Sequence, residues 1–117
     1  MQYLLMCCFD EDLWAKIPES QRDKVMQDYN KWVQERIESG QHRATARLRS
    51  SSTATTIREK DGKPVITDGP FAETKEQLGG YHLIECKDLD EAISIARRIP
   101  TLPVGGTIGV RPVEAAD

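Results

Sequence analysis

The groups best placed for acid–base work in this 117-residue chain lie within one stretch. It reads Asp68-Gly69-Pro70-Phe71-Ala72-Glu73-Thr74-Lys75-Glu76-Gln77-Leu78-Gly79-Gly80-Tyr81. Asp68 before Gly-Pro either accepts backbone N–H groups two residues on, as an Asx-turn, or acts as a general base or ligand anchor in a cleft. Burial there would lift a carboxylate's pKa toward neutrality. Lys75 sits among Glu73 and Glu76; the run suits a solvated lid or short helix, or else the ammonium neutralises an anionic substrate or enolate-like intermediate. Gly79-Gly80 permits a bulge or a close backbone approach, and N–H groups there can hold an anion. Tyr81 offers a phenol as proton donor or ligand contact, or simply packs. On the strand that follows, Tyr81, Leu83 and Glu85 share one face, and His82, Ile84 and Cys86 the other. His82 titrates in the useful range, although a strand histidine is most often only hydrogen-bonded. Arg111, near the end of the chain, is a candidate for binding a carboxylate in the same cavity.

Nothing in the sequence calls for a cofactor or a metal. There is no Ser/His/Asp arrangement, P-loop, dinucleotide fingerprint or metal-ligand spacing. The three cysteines, Cys7, Cys8 and Cys86, are an odd count without secretory context and read as reduced thiols. Cys7 and Cys8, adjacent on a strand, point to opposite faces and make a poor metal pair. A net charge of −3 argues against direct nucleic-acid binding, which needs a basic field to displace counterions. The one basic patch, with His42, Arg43, Arg47 and Arg49, suits a charged strand edge or an anion-binding face. No apolar run is long enough to cross a membrane, and the apolar start is too short for a signal peptide. A cytoplasmic protein is expected.

The elements that must position these groups follow from pattern. Tyr3 to Phe9 is a nearly continuous apolar run, as in a central strand. Asp10 to Trp14 reads as an acidic loop or single helical turn, with Trp14 as a lid over the core in preference to a ligand platform. Pro18 suits a helix start. Val25, Tyr29, Trp32, Val33, Arg36 and Ile37 recur at helical spacing, and Gly40 marks the stop. Tyr29 and Trp32 could line a ligand site, but they lie on that stripe and are read as core. A strand over 43–48 follows, then the Ser50-Ser51-Ser52 break. Two β-branched runs flank Asp61-Gly62, the mark of a type I′ hairpin. A strand starts at Gly80. Asp88 caps a helix whose stripe is Leu89, Ala92, Ile93, Ala96 and Ile99, and Pro100 ends it. A last strand covers 107–113, leaving 114–117 as a tail on a single domain over 1–113. Setting the hairpin aside leaves βαββαβ, an α+β ferredoxin-like plan. Two helices cover one sheet face, so a second copy is expected on the other, as a homodimer.

The run Asp68 to Tyr81 resembles the signature of the DGPF (DGPFAETKE) branch of the YCII-related family. Similar residues extend both ways: Thr53-Ala54-Thr55-Thr56-Ile57, Asp88-Leu89-Asp90-Glu91-Ala92, Pro100 and Val110-Arg111-Pro112-Val113. The resemblance covers essentially the whole chain and implies a dimeric α+β barrel of ferredoxin-like protomers. In the wider group it implies a cleft beside the dimer interface and small-molecule lyase or isomerase chemistry with a suspected His–Asp pair. For the DGPF branch it implies a regulatory or accessory role beside extracytoplasmic-function sigma factors. The suspected histidine belongs on the first long helix, and this chain has none there; its histidines are His42 and His82. Only Asp68 carries over. The leading expectation is therefore a homodimer that binds a small metabolite near the interface. Cofactor-free proton transfer, elimination or isomerisation would use Asp68 as base with Tyr81 or Lys75 assisting, and Gly79, Gly80, His82 and Arg111 as ligand contacts. The alternative is a non-catalytic module acting with a sigma factor or another protein.

Overall fold

A computed structural model describes residues 1–115. The last two residues of the expected 114–117 tail lie outside the described residues. The elements are β1 (Gln2–Phe9), α1 (Glu11–Lys16), α2 (Glu19–Glu38), β2 (His42–Arg47), β3 (Thr55–Lys60), β4 (Lys63–Asp68), β5 (Gln77–Glu85), α3 (Leu89–Ala96) and β6 (Thr107–Pro112). Short 3₁₀ turns occupy Ser51–Thr53 and Leu102–Val104. Four strands form an antiparallel sheet in the order β2-β5-β1-β6, and β3 and β4 pair separately. The protein is thus a mixed α+β fold with antiparallel sheets. No helix among the described residues is long and apolar enough to cross a membrane.

Local chemistry sets the element ends. Asp10 caps α1 by accepting the Asp12 and Leu13 N–H groups, so the acidic segment is a helix of its own. Gly40, at φ 78°, ends α2: the Gly40 and Gln41 N–H groups bond the Ile37 and Arg36 carbonyls, a left-handed stop that glycine adopts without strain. Asp88 accepts the Glu91 N–H at 2.9 Å and starts α3. Asp61 and Gly62 both have positive φ, and Lys60 faces Lys63, as a two-residue type I′ turn requires.

The core lies between one sheet face and the helices. Tyr3 and Leu5 of β1, Ile84 of β5 and Trp32 of α2 pack with Ala92, Ile95, Ala96 and Ile99. The Trp32 indole N–H donates to the Ile95 carbonyl at 3.2 Å, joining α2 to α3. The expected α3 stripe is corrected: Leu89 and Ile93 are exposed and Ile95 is buried. Apolar residues surround this eight-residue helix, so pattern alone does not set its rotation; the sheet does. The opposite sheet face carries Leu4, Met6, Tyr81 and Leu83, paired across β1 and β5 and only half-buried.

The β3–β4 hairpin projects from this body. The molecule measures 48 × 47 × 19 Å with a radius of gyration of 16.2 Å, against about 13 Å for a compact domain of this length. Ile57, Ile66 and Phe71 are exposed by 68%, 67% and 79%. The Gly69 N–H bonds the Ala54 carbonyl at 2.7 Å and Thr56 donates to the Gly69 carbonyl at 2.8 Å. These bonds tie the turn after Asp68. The Asp68 side chain takes no part in them, so the Asx-turn expectation is not met.

Strand β5 starts three residues earlier than expected because of its glycines. Cys7 faces Gly80 but Cys8 faces Leu78, so Gly79 is an extra residue in a β-bulge. Pairing then continues to Phe9 and Gln77. A Cβ on Gly80 would stand 2.9 Å from the Ala46 carbonyl oxygen, whereas one on Gly79 would have its nearest neighbour, the Cys7 carbonyl oxygen, at 3.7 Å. Gly80→Ala is therefore expected to destabilise the fold by roughly 1–3 kcal/mol, as backbone must shift to admit the methyl, and Gly79→Ala by much less. Urea denaturation of the two variants checks this; equal loss would contradict the close-approach account.

Candidate functional site

The bulge opens a cavity. Where β5 carries Gly79 and Gly80 it presents no side chain between β1 and β2, and a space of 380 Å³ lies there, within the usual range for small-molecule sites. Cys7, Cys8 and Phe9 of β1, Trp14 of α1, Met26 and Tyr29 of α2, and Thr45 to Ser50 line it, with Glu11, Gln77 and Thr101 at its edges. Trp14 packs edge-on against Phe9 at 5.4 Å between centroids. Most of the lining is apolar, and the ionisable groups are few: two guanidinium groups (Arg47, Arg49), one carboxylate (Glu11), one phenol and two thiols.

From the lining a polar chain runs inward to a buried histidine. His82 projects from β5 beneath α2 and is 2% exposed. Its Nε2 is hydrogen-bonded to the Tyr29 hydroxyl, and its Nδ1 lies 2.8 Å from Thr45 Oγ1. Thr45 also donates to the Tyr81 carbonyl at 3.0 Å. The Trp32 ring meets the imidazole edge-on at 4.8 Å. The Cys7 thiol lies 3.7 Å from the Tyr29 hydroxyl. Both ring nitrogens of the histidine are thereby satisfied, as deep burial of a polar ring demands.

Electrostatics keep these groups uncharged. Burial lowers His82 to about 4, helped by the nearby His42. Burial raises the Tyr29 phenol well above its ordinary value, with Cys7 adding to the rise and Arg47 opposing it. The Cys7 and Cys8 thiols are likewise raised, mainly by burial. Glu11 is the exception: the Ser51 N–H at 2.9 Å and the Ser50 hydroxyl at 2.8 Å hold it below the usual carboxylate range. At neutral pH the cavity thus has protonated phenol and thiols, two fixed positive charges and one committed carboxylate.

The structure distributes the sequence-derived candidates over four places. Gly79 and Gly80 line the cavity, and His82 lies directly behind it. Lys75 borders a second cleft, of 490 Å³, beside Asp10, Glu73 and Thr74. Asp68 stands exposed at the end of β4, and its carboxylate forms no hydrogen bond among the described residues. Tyr81 and Arg111 are on the opposite sheet face, where Tyr81 pairs with Met6 and Arg111 with Leu4. In one copy, Asp68, Lys75, Tyr81 and Arg111 do not meet. Thr45 is a site residue that sequence reading missed; that reading puts Tyr29 chiefly in the core and Arg47 on a charged strand edge, with a ligand-lining role and an anion-binding face as their alternatives. Tyr29 sits on an apolar helical stripe, and nothing local shows that its hydroxyl faces a histidine 53 residues away.

The family profile of the YCII-related domain matches residues 1–116. The chain is also similar to an uncharacterized protein of Rhizobium meliloti (strain 1021), at 38% identity over 114 residues, which is 97% of this chain and 92% of that protein.

The histidine makes a pH prediction. Its folded-state pKa, about 4, lies below the ordinary 6.5, so its contribution to stability is complete above about 6.5 and is lost as pH falls toward 4. Stability should decline between pH 6.5 and 5 with a slope on the order of 1 kcal/mol per pH unit. His82→Gln should be less stable at pH 7 and lack that slope. Urea unfolding across this range is the check; an unchanged slope in the variant would contradict the assignment.

Proposed function

The chain belongs to the YCII-related family, and from that premise we propose that it is a metabolite-binding protein whose cavity at Gly79–Gly80 holds a small anion with an apolar body. The observation that carries this reading is the 380 Å³ space walled by Phe9, Trp14 and Met26, with Arg47 and Arg49 supplying positive charge. An apolar enclosure with a few convergent polar groups is the general form of a small-molecule site. Two guanidinium groups against one hydrogen-bonded carboxylate favour a carboxylate or phosphate on the ligand.

A second reading adds chemistry. The cavity's phenol and thiols are held protonated, the Glu11 carboxylate is taken up by Ser50 and Ser51, and the His82 Nε2 is engaged by Tyr29, so one copy offers no free base. A homodimer of ferredoxin-like protomers, joined through the face bearing Leu4, Met6, Tyr81 and Leu83, would bring in a second hairpin. The exposed Ile57, Ile66 and Phe71 on and beside that hairpin support such an association, since apolar groups this exposed usually mark contact surfaces. In this assembly Asp68 of a second copy is the base for cofactor-free proton transfer, elimination or isomerisation.

Benzoate is the probe for binding. It should raise the melting temperature of the wild type, and Arg47→Ala should weaken the effect about tenfold, corresponding to about 1.4 kcal/mol. Absence of any shift up to millimolar benzoate would sink the anion site. Light scattering at micromolar concentration should give twice the chain mass; a single chain mass would remove the second reading. An Asp68→Asn variant should keep benzoate binding intact, because its place is outside the cavity.

A further inference from the structure

Resting on the cavity reading above, we propose that the floor of the site selects ligands by hydrogen-bond polarity: the anion it takes carries an O–H or N–H donor at its apolar end, and that hydrogen is given to the Tyr29 oxygen. The inference follows from counting hydrogens along the buried chain. Thr45 Oγ1 lies 3.0 Å from the Tyr81 carbonyl oxygen. Two oxygens at that separation repel unless a hydrogen lies between them, and the carbonyl has none. The single Thr45 hydrogen is therefore spent there.

His82 Nδ1, 2.8 Å from the same Oγ1, must then be the donor of that pair. A neutral imidazole carries one ring hydrogen, and burial holds His82 neutral. Its Nε2 is accordingly bare and accepts the Tyr29 hydroxyl hydrogen. Tyr29, whose side chain lines the cavity, has no hydrogen left to offer a ligand. What it presents is an acceptor. Among the described residues, the donor left to that oxygen is the Cys7 thiol at 3.7 Å, a weak donor at long range, which a ligand hydroxyl or amine would displace.

The arrangement acts in one direction only. A ligand donor completes the chain, while a ligand acceptor meets a lone pair. In this reading the anion goes to Arg47 or Arg49 and the donor to Tyr29, and the 380 Å³ space suits a single ring. The ligand class is thus a small carboxylate bearing a distal hydroxyl or amino group on an apolar frame.

The test compares 4-hydroxybenzoate with 4-fluorobenzoate, which are close in size but only one of which donates. Calorimetric titration of the wild type should show the hydroxy compound binding roughly five- to tenfold tighter, the factor one net hydrogen bond supplies. In Thr45→Val the tautomer is released and the preference should fall toward unity. Nitrogen-15 shifts of His82 should report hydrogen on Nδ1 in the wild type. Equal affinities for the two probes, or hydrogen found on Nε2, would overturn the inference while leaving the cavity reading in place. Failure of both probes, together with failure of benzoate, would overturn the cavity reading itself.

Discussion

A histidine that is almost entirely buried constrains everything that touches it. His82 must have both ring nitrogens answered, and no water reaches it to do so. The partners come from two elements far apart in sequence, Thr45 on β2 and Tyr29 on α2. Meeting that demand fixes the height of α2 over the sheet and the register of β2 against β5. Trp32, one turn further along α2, closes over the ring and reaches on to α3 through the Ile95 carbonyl. The polar chain and the apolar core are therefore one packed unit, and the cavity is the space on its outer side.

The charge state of this unit follows from the same burial. An imidazole held neutral next to a phenol held protonated makes a rigid, dry floor rather than an ionised catalytic pair. Positive charge enters from β2 and its extension, at Arg47 and Arg49. Glu11 could have cancelled part of it, but its carboxylate is turned to the Ser50–Ser51 turn, where it ties α1 to the chain beyond β2. The result is an apolar space with a polar base and a cationic wall.

Features governed by neighbours in sequence were legible before any coordinates. The Asp61-Gly62 turn, the Asp88 cap, the Gly40 stop and the bulge at Gly79-Gly80 each have a local chemical cause, and each is where the residues place it. The α3 stripe was misread because Ile93 and Ile95 are equally apolar, and only the sheet decides which of them is buried. The site was legible only in part. Gly79, Gly80 and His82 were picked out, whereas Tyr29 looked like core because its ring lies on an apolar stripe. A tyrosine is amphipathic, and which of its ends matters depends on what the fold sets opposite it. Of the conspicuous Asp68–Tyr81 run, the Asp68 end stands at the hairpin, apart from the cavity of the same copy, while Gln77, Gly79 and Gly80 line it.

The bulge has a bearing on how this site could change. Most ligand cavities are shaped by side chains whose rotamers adjust together, so their capacity is spread over many positions. Here part of the wall is bare backbone, where Gly79 and Gly80 carry hydrogen in place of Cβ. The two positions are unequal: Gly80 is blocked by the Ala46 carbonyl, while Gly79 has room. Ligand size can therefore be graded at residue 79 one atom at a time with the sheet unaltered, which makes that position a natural adjusting screw for divergence in specificity on an otherwise fixed frame.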